Sequence, residues 1–459
     1  MADKNRWEEY NESELNELDA LCGEYKTFLN NGKTERECIK IIKSMALEAG
    51  FKELKGFADL KKGDKFFIEK MGKTIALFVM GKKPVEEGIN IVGAHVDSPR
   101  LDLKQNPIYE TDGLCYADTH YYGGIKKYQW LETPLALHGV VVKKDGTSVD
   151  ICIGEDADDP VVVISDLLVH LSQKQMSGKA NEIIEGEKLD IILGNRPAVS
   201  DDEDGKEQLK KNVLNILAEK YDFEEDDLMS AEIEAVPAGK ARDCGIDRSM
   251  IMSYGQDDRV CAFASLKGIL EIDEPERTAC CLFVDKEEIG SVGATGMHSH
   301  FFENVVAEIV ALSAGESELK VRRALENSSM LSADVTAAYD PMFAFAFDKK
   351  SAAQFTGGLA LCKYTGSRGK SGSNDANAEF IAKLRNIFDD NNAKFQFAEL
   401  GRVDVGGGGT IAYIMANYGM EVIDAGVPLL GMHAPYEISS KVDVYESYKG
   451  YKAFMNEMI

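Results

Sequence analysis

The chain has 459 residues, of which 44% are hydrophobic and 28% charged, as in ordinary globular proteins. At about 100–200 residues per domain, this length predicts two or three domains. The formal net charge of −26 argues against nucleic acid and anionic lipid as partners, because both bind a basic face.

The N-terminal segment and the cysteines are both compatible with the cytoplasm. The polar, acidic N-terminal segment resembles neither a signal nor a transit peptide. No window approaches the roughly 18 uninterrupted apolar residues of a membrane helix. The nine cysteines form no CxxC pair, and several lie in apolar runs that suit free thiols. We therefore predict a cytoplasmic protein that binds no membrane.

The pattern of predicted secondary structure changes twice along the chain. Residues 11–50 have helical periodicity, and the runs KFFIEK, TIALFVMG and INIVGAHVDSP then read as strands. Between about 101 and 245 short alternating segments such as ALHGVVVKK and VVVISDLLVHL take over, with a helix around 207–220. From about 255 helices alternate with buried strands again, as in VCAFASLKGIL followed by TACCLFV.

This alternation predicts an α/β fold with a mostly parallel central sheet flanked by helices on both faces. The economical interpretation is one discontinuous α/β domain, made of residues 1–100 and 246–459. The β-rich residues 101–245 then form a second domain inserted into the first.

Acids and histidines recur where the predicted strands end and, at Asp257 and Asp258, just before a predicted helix. The ligand-type residues, in chain order, are His95, Asp97, Asp257, Asp258, Glu287, Glu288, Asp334 and His433. Functional sites in open α/β sheets form outside the carboxyl ends of the strands, so these side chains are candidates for one cleft. Two histidines and several carboxylates suit zinc or a similar divalent ion, and a bridging carboxylate favours two ions. Of Glu287 and Glu288, one could bind metal while the other takes a proton from water.

Other motifs fit less well. GSVGATG (290–296) lacks the G-x-G-x-x-G spacing, and GSRGKSGS lacks the first glycine of a Walker motif, which argues against a nucleotide-dependent redox enzyme. VDVGGGGTIAYIMANYG (403–419) places four glycines before a predicted helix. Backbone groups at Gly407 and Gly408 could cradle a substrate carbonyl or carboxylate, although a tight turn explains these glycines equally well.

The segments GAHVDSPRLDLK, SYGQDDR, DKEEIGSVGATG, SADVTAAYDP and GMHAPYE resemble, in this order and spacing, the aspartyl aminopeptidase/aminopeptidase I family of two-zinc exopeptidases. The resemblance covers nearly the whole chain. It implies a metalloaminopeptidase that removes the N-terminal residue from peptides with a free N-terminus.

The resemblance also implies metal ligands. His95 and Asp334 would hold one ion, Glu288 and His433 the second, and Asp257 would bridge the two. Zinc is the expected metal, with manganese or cobalt as alternatives.

The resemblance implies two further roles and leaves one alternative. Asp97 would orient the imidazole of His95, and Glu287 would be the general base and then the acid. Asp258 competes with Asp257 for the bridging position, which we assign to Asp257 because the family's bridging aspartate is followed by Asn or Asp.

The family's inserted domain forms a dimer interface, and a histidine on it reaches the neighbouring subunit's active site. His170 in LLVHL matches that histidine, with a packed helix histidine as the alternative. The resemblance further implies a homo-oligomer, with dimers assembling to a dodecamer.

Substrate preference is open between two branches of the family. Lys363 matches the basic residue that the aspartyl branch uses for N-terminal Asp or Glu, but GRVDVGGGGT resembles the aminopeptidase I branch. We expect neutral or apolar N-terminal residues to be slightly favoured. A carboxypeptidase or deacylase with two metals, or a non-catalytic scaffold, are the rival classes. A carboxypeptidase or deacylase needs a basic residue to bind the terminal carboxylate of the substrate, and no arginine in the sequence is an obvious candidate. A non-catalytic scaffold predicts that a metal ligand or the general base is missing, yet all of them are present.

Overall fold

The computed structural model describes residues 5–199, 206–366 and 368–459. The chain divides into two compact units. The first comprises Met1–Asp97, Ala241–Met432 and Glu437–Ile459, and the second comprises Ser98–Lys240 and His433–Tyr436.

The described residues form the following elements. The helices are α1 (Glu12–Asn31), α2 (Glu35–Glu48), α3 (Gln173–Met176), α4 (Gln208–Tyr221), α5 (Gln256–Leu270), α6 (Phe301–Ala314), α7 (Glu318–Glu326), α8 (Ala378–Asp390), α9 (Ala412–Ala416) and α10 (Lys441–Glu457). The strands up to residue 153 are β1 (Lys52–Glu53), β2 (Lys65–Lys70), β3 (Thr74–Val79), β4 (Ile89–His95), β5 (Arg100–Thr111), β6 (Leu114–Tyr122), β7 (Leu135–Val142) and β8 (Ser148–Ile153). The later strands are β9 (Ile191–Gly194), β10 (Ala231–Pro237), β11 (Arg242–Cys244), β12 (Met250–Ser253), β13 (Thr278–Val284), β14 (Ser329–Ser332), β15 (Thr336–Ala337), β16 (Leu359–Cys362), β17 (Phe395–Phe397), β18 (Glu421–Gly426), β19 (Pro428–Leu430) and β20 (Glu437–Ser440).

The first unit is built on a nine-stranded sheet with the order β1-β2-β3-β13-β4-β14-β18-β16-β17. Its central strands β13, β4, β14 and β18 run parallel to one another. The carboxyl ends of these four strands therefore meet at one edge of the sheet. A second sheet of five strands, with the order β11-β12-β20-β19-β15, completes the unit.

Helices cover both faces of the nine-stranded sheet because its central strands are apolar on both sides. Within β4, Val92 and Ala94 pack into a core with α1, α2, α5, α8 and α10. Ile89 and Ile91 point to the other face and pack into a core with α6, α7 and α9. The predicted α/β class, with a mostly parallel sheet flanked by helices, is confirmed.

The second unit is β-rich. Its six-stranded sheet has the order β8-β7-β10-β5-β6-β9, and the neighbouring strands pair antiparallel. The short alternating segment VVVISDLLVHL does not form a regular strand. Val162 and Val163 make only isolated bridges, and residues 164–168 have no regular structure. Leu167 and Leu168 are 47% and 54% exposed, so this stretch gains no buried face to hold a strand.

Within the part of the chain that the structure describes, no helix is both long and apolar enough to span a bilayer.

Candidate metal and active site

The carboxyl edge of the nine-stranded sheet gathers the predicted metal ligands of the first unit. His95 is the last residue of β4, and Asp334 comes two residues after β14. Asp257 lies in the first turn of α5, whereas Glu287 and Glu288 form a short 3-10 turn after β13. The parallel strands thus bring together side chains that lie far apart in sequence.

His95, Asp257 and Asp334 form a compact group of ligand-type atoms. The Nε2 atom of His95 lies 3.2 Å from Oδ1 of Asp257 and 3.9 Å from Oδ1 of Asp334. One ligand atom from each of the three residues lies within 4.8 Å of the other two. His95 and Asp257 are only 2% and 3% exposed, so water cannot fully solvate these charges.

Asp257 and Asp258 play different structural parts. The backbone N–H of Asp257 donates to Oε2 of Glu437 at 3.1 Å, while its carboxylate faces His95. Asp258 is fully buried, and its Oδ2 accepts a hydrogen bond from the backbone N–H of His95 at 3.3 Å. This geometry favours Asp257 over Asp258 as the ligand.

The electrostatics of the group agree with a bound cation. Burial, together with the negative charge of Glu287, raises the pKa of Asp334 well above its ordinary value. Burial by itself lowers the pKa of His95, but its hydrogen bonds to Asp257 and Asp97 outweigh burial and raise it well above the usual value. Carboxylates crowded in this way are stabilised by a bound cation.

Asp97 connects the histidine to the glutamates. Its backbone carbonyl oxygen lies 3.0 Å from Nδ1 of His95, and its Oδ1 lies 3.3 Å from the same nitrogen. The carboxylate also accepts the backbone N–H groups of Glu287 and Glu288, at 3.1 and 3.2 Å. With Nδ1 held by these oxygens, Nε2 is the ring nitrogen that faces Asp257 and Asp334.

Glu287 and Glu288 are both half-buried. A carboxylate oxygen of Glu288 lies within 4.8 Å of one of Asp257. The negative charge of Glu287 is felt by Asp334. Both glutamates therefore stand close to carboxylates of the ligand group.

His433 belongs to the second unit. Its Nδ1 lies 2.8 Å from the carbonyl oxygen of Gly124. A carbonyl can only accept, so the hydrogen must reside on Nδ1 and the lone pair on Nε2. This is the tautomer that metal-binding histidines use.

His170 also belongs to the second unit, where it lies exposed in a turn. Its neighbours Val169 and Leu171 are 74% and 68% exposed. The structure has no helix at this position, so the alternative of a histidine packed on a helix was wrong.

The predicted substrate-binding residues lie in loops of the first unit. Nζ of Lys363 forms an ion pair with Oδ1 of Asp375 at 2.7 Å. Gly407 and Gly408 precede α9, and Gly407 borders a small cavity with Tyr364 and Glu399. The helix after these glycines has only five residues.

One supporting residue escaped the sequence analysis. Glu437 is 1% exposed and holds the backbone N–H of Asp257, while its own carbonyl oxygen accepts from Nε2 of Gln256 at 2.6 Å. Glu437 is the last residue of GMHAPYE, so the motif itself carried the signal.

The donor set fits a zinc-type ion. It combines an imidazole nitrogen with carboxylate oxygens, and zinc takes both kinds of ligand in hydrolytic sites. Burial is the main cause of the raised pKa of Asp334, and a cation bound beside Asp334 would stabilise its charged carboxylate.

Known proteins are similar to this chain in both sequence and fold. The sequence pattern of the family described as Aminopeptidase I zinc metalloprotease (M18) matches residues 28–455. A "Probable M18 family aminopeptidase 1" of Clostridium acetobutylicum is 54% identical over 457 residues, covering 99% of this chain and 98% of that protein.

Solved structures agree with this. The M18 aminopeptidase from Thermotoga maritima has a TM-score of 0.95 at 44% identity, with 100% of both chains covered. Aminopeptidase I from C. acetobutylicum has a TM-score of 0.92 at 50% identity, with 99% of both chains covered. The S. cerevisiae mApe1 dodecamer, at 22% identity and a TM-score of 0.77, shows the shared fold alone. The chain therefore belongs to the M18 family of zinc metalloaminopeptidases, which are hydrolases that act as exopeptidases.

Proposed function

We propose that this enzyme removes N-terminal residues from peptides with two divalent metal ions per subunit and with Glu287 as general base. The observation that carries the proposal is the group of His95, Asp257 and Asp334 at the carboxyl edge of the sheet, with His95 and Asp257 buried and the charge of Glu287 beside Asp334. Such edges are where α/β enzymes place their chemistry.

The ligand assignment divides the residues between two ions. His95 and Asp334 hold the first, Glu288 and His433 hold the second, and Asp257 bridges them. The short separations among His95, Asp257 and Asp334 support the first half. The tautomer of His433, set by the carbonyl of Gly124, supports its use of Nε2 as a ligand atom.

The chemistry that the ions supply when bound is to lower the pKa of water toward about 7 and to polarise the scissile carbonyl. Glu287 accepts a proton from the attacking water and then delivers it to the nitrogen of the departing amine. The carboxylate of Asp97 accepts a hydrogen bond from the backbone N–H of Glu287. This contact fixes the backbone position from which the side chain of Glu287 extends. Asp97 also orients His95 through contacts to Nδ1.

The acidic character of the site suits a substrate with a free, positively charged α-amine. Burial already raises the pKa of Asp334, and an ammonium group placed nearby would relieve the excess of negative charge. We favour zinc as the metal, with manganese or cobalt able to take its place, because mixed imidazole and carboxylate sites admit all three.

For the N-terminal residue of the substrate we favour neutral or apolar side chains over Asp or Glu. An aspartyl preference needs a cation aimed at the substrate's acid, and Lys363 is the candidate. Nζ of Lys363 forms an ion pair with Oδ1 of Asp375 at 2.7 Å, which supports a structural role for Lys363 over substrate binding. Gly407 and Gly408 then contribute backbone groups rather than charge.

We propose a homo-oligomer of dimers, assembling to a dodecamer, in which the second unit forms the dimer interface and His170 contacts substrate in the neighbouring subunit. The support is an apolar surface around this histidine. Leu167, Leu168, Val169 and Leu171 are between 47% and 74% exposed. Isolated monomers rarely leave such a run in water.

A cytoplasmic location agrees with the cysteines. All nine lie in the described part of the chain as free thiols, and seven of them are buried. Free thiols persist in reducing compartments.

The aminopeptidase and its closest rival reaction, a two-metal deacylase or carboxypeptidase, separate in one experiment. Peptides are offered with a free and with an acetylated N-terminus, and released amino acids are identified. We expect acetylation to abolish hydrolysis, because the free α-amine is part of the recognition. Equal cleavage of both peptides, or release from the C-terminus, contradicts the proposal.

A further inference from the structure

The loop that carries Glu287 and Glu288 has a strained backbone. Lys286 and Ser291 have φ angles of 69° and 59°, in the left-handed region, although neither is a glycine. Gly290 and Gly293 share this sign of φ, at 95° and 106°. A loop with several such residues keeps one conformation only where its surroundings over-determine it.

Thr295 fastens the far end of this loop back to its start. Its Oγ1 donates to Oδ2 of Asp285 at 2.6 Å, and its carbonyl oxygen accepts the backbone N–H of Asp285 at 3.2 Å. The same carbonyl oxygen also accepts a hydrogen bond from the Oγ1 hydroxyl of Thr74, on β3, at 2.5 Å. These contacts, which we call the Thr295 anchor, are buried: Thr74, Asp285 and Thr295 are 1%, 1% and 3% exposed.

The anchor lies directly beside the proposed chemistry in the chain. Asp285 comes right after β13 and two residues before Glu287. Inside the loop, the N–H of Ser291 donates to the carbonyl of Lys286 at 2.7 Å, which folds the backbone back on itself. The negative charge of Asp97 is also among the causes that raise the pKa of Asp285 to about 6, after burial and Glu35.

We propose that Thr295 is a positioning residue for the M18 reaction, which holds the Glu287–Glu288 turn in the strained conformation that presents both carboxylates. This inference rests on the proposed roles of the two glutamates. Thr295 contacts neither substrate nor metal in this scheme and acts only through the loop. Asp97 holds the N–H groups of the turn from one side, and the Thr295 anchor closes the loop from the other.

The test compares four variants. Thr295→Val removes the hydroxyl and keeps the shape, Thr295→Ser keeps the hydroxyl, and Thr74→Val removes the other side-chain contact of the anchor. Thr278→Val is the matched control, because Thr278 is fully buried at the opposite end of β13 and its Oγ1 accepts the N–H of Gly81 at 3.1 Å.

Two readouts are taken on the intact enzyme: hydrogen exchange of amides 285–296 in metal-free protein, and kcat and KM in zinc-loaded protein. We expect Thr295→Val to speed exchange in this segment at least tenfold and to lower kcat about tenfold with little change in KM. Thr295→Ser should stay near wild type, and Thr278→Val should leave both readouts unchanged.

The inference is overturned if Thr295→Val resembles Thr278→Val in exchange and in kcat. Should Thr295→Val fail to fold, Thr74→Val decides, because it must then change the same segment in the same direction. Hydrogen exchange does not depend on catalysis. A faster loop in an enzyme that keeps full activity after Glu287→Gln would therefore refute the proposed function and leave the anchor standing.

Discussion

The carboxylate of Asp97 accepts a hydrogen bond from the backbone N–H of Glu287, with 3.1 Å between Oδ1 and the nitrogen. Its other oxygen accepts the N–H of Glu288 at 3.2 Å, and Oδ1 also lies 3.3 Å from Nδ1 of His95. One buried carboxylate thus couples the end of β4 to the turn after β13. Supporting residues of this kind affect a site without touching its substrate.

The first prediction concerns this coupling. The side-chain amide of asparagine has only one acceptor oxygen. In Asp97→Asn it can therefore accept a hydrogen bond from the backbone N–H of Glu287 or of Glu288, but not from both, and its NH2 group then faces the other N–H donor. We expect kcat to fall about 10- to 100-fold and zinc affinity to weaken by a similar factor. Steady-state kinetics and zinc titration of the metal-free enzyme measure the two effects.

Asp64→Asn is the control for that substitution. Asp64 is also an aspartate that accepts a backbone N–H, from Lys61 at 2.7 Å, but it caps an exposed turn. It should leave kinetics and zinc affinity unchanged. If Asp97→Asn matched this control, Asp97 would have no positioning role.

The second prediction concerns metal content. Wild type should retain two zinc ions per chain, and His433→Ala and Glu288→Gln should each retain one, because these residues serve only the second ion. Elemental analysis after gel filtration gives the count. His298→Ala is the control, since the imidazole of this histidine contacts the hydroxyl of Tyr413 at 2.9 Å. A single ion in wild type would exclude the two-metal arrangement.

The third prediction tests whether His170 acts across subunits. His170→Ala should lower kcat at least tenfold while zinc stays bound. Mixing refolded His170→Ala and Glu287→Gln chains should restore activity, because a mixed dimer then has one site with both an intact glutamate and an intact neighbouring histidine. A mixture as inactive as its parents would mean that His170 does not act between subunits.

The fourth prediction concerns stability and pH. Burial raises the pKa of Asp443, on α10, to about 8, although the N–H groups of Gly358 and Thr356 donate to its carboxylate. In the unfolded chain the value is about 3.9. The folded state therefore binds more protons between these values, and the stability that Asp443 contributes is lost as pH rises from about 4 to about 8.

Asp443→Asn isolates this effect because it cannot titrate. The stability of wild type relative to the variant should decline with rising pH across that window, by at most about 1.4 kcal/mol per pH unit. Unfolding midpoints at pH 5, 6.5 and 8 measure it. A difference that stays constant or grows with pH contradicts the raised pKa.

Much of the fold followed from periodicity in the sequence. The continuous apolar run of INIVGAH became the central strand β4, whose last residue is His95, because a strand with both faces buried must be apolar throughout. The alternating segment VVVISDLLVHL, which contains His170, forms no regular strand. Alternation stabilises a strand only where the apolar side chains of one face are buried in a core. Leu168 and Leu171 stay 54% and 68% exposed in this chain.

The candidate site was predictable to the extent that ligand types stand at strand ends. His95 and Asp334 illustrate this, since His95 ends one buried strand and Asp334 follows another. The contacts that hold such ligands were not predictable. Asp97 accepts two N–H groups 190 and 191 positions away, and Thr295 bonds Thr74 across 221 positions. Backbone partners of this kind depend on tertiary structure and leave no local pattern. The roles of the two domains stay a prediction.

The most direct measurement is the release of free amino acid from X-Ala-Ala peptides, with X as Leu, Asp, Lys or acetyl-Leu, by metal-loaded wild type and Glu287→Gln. Our account predicts hydrolysis of the unblocked peptides, with Leu ahead of Asp, and a kcat about 1,000-fold lower in the variant at unchanged zinc content. Undiminished activity of Glu287→Gln, or no hydrolysis with zinc, manganese or cobalt, would contradict the assignment of Glu287 as the general base of this site.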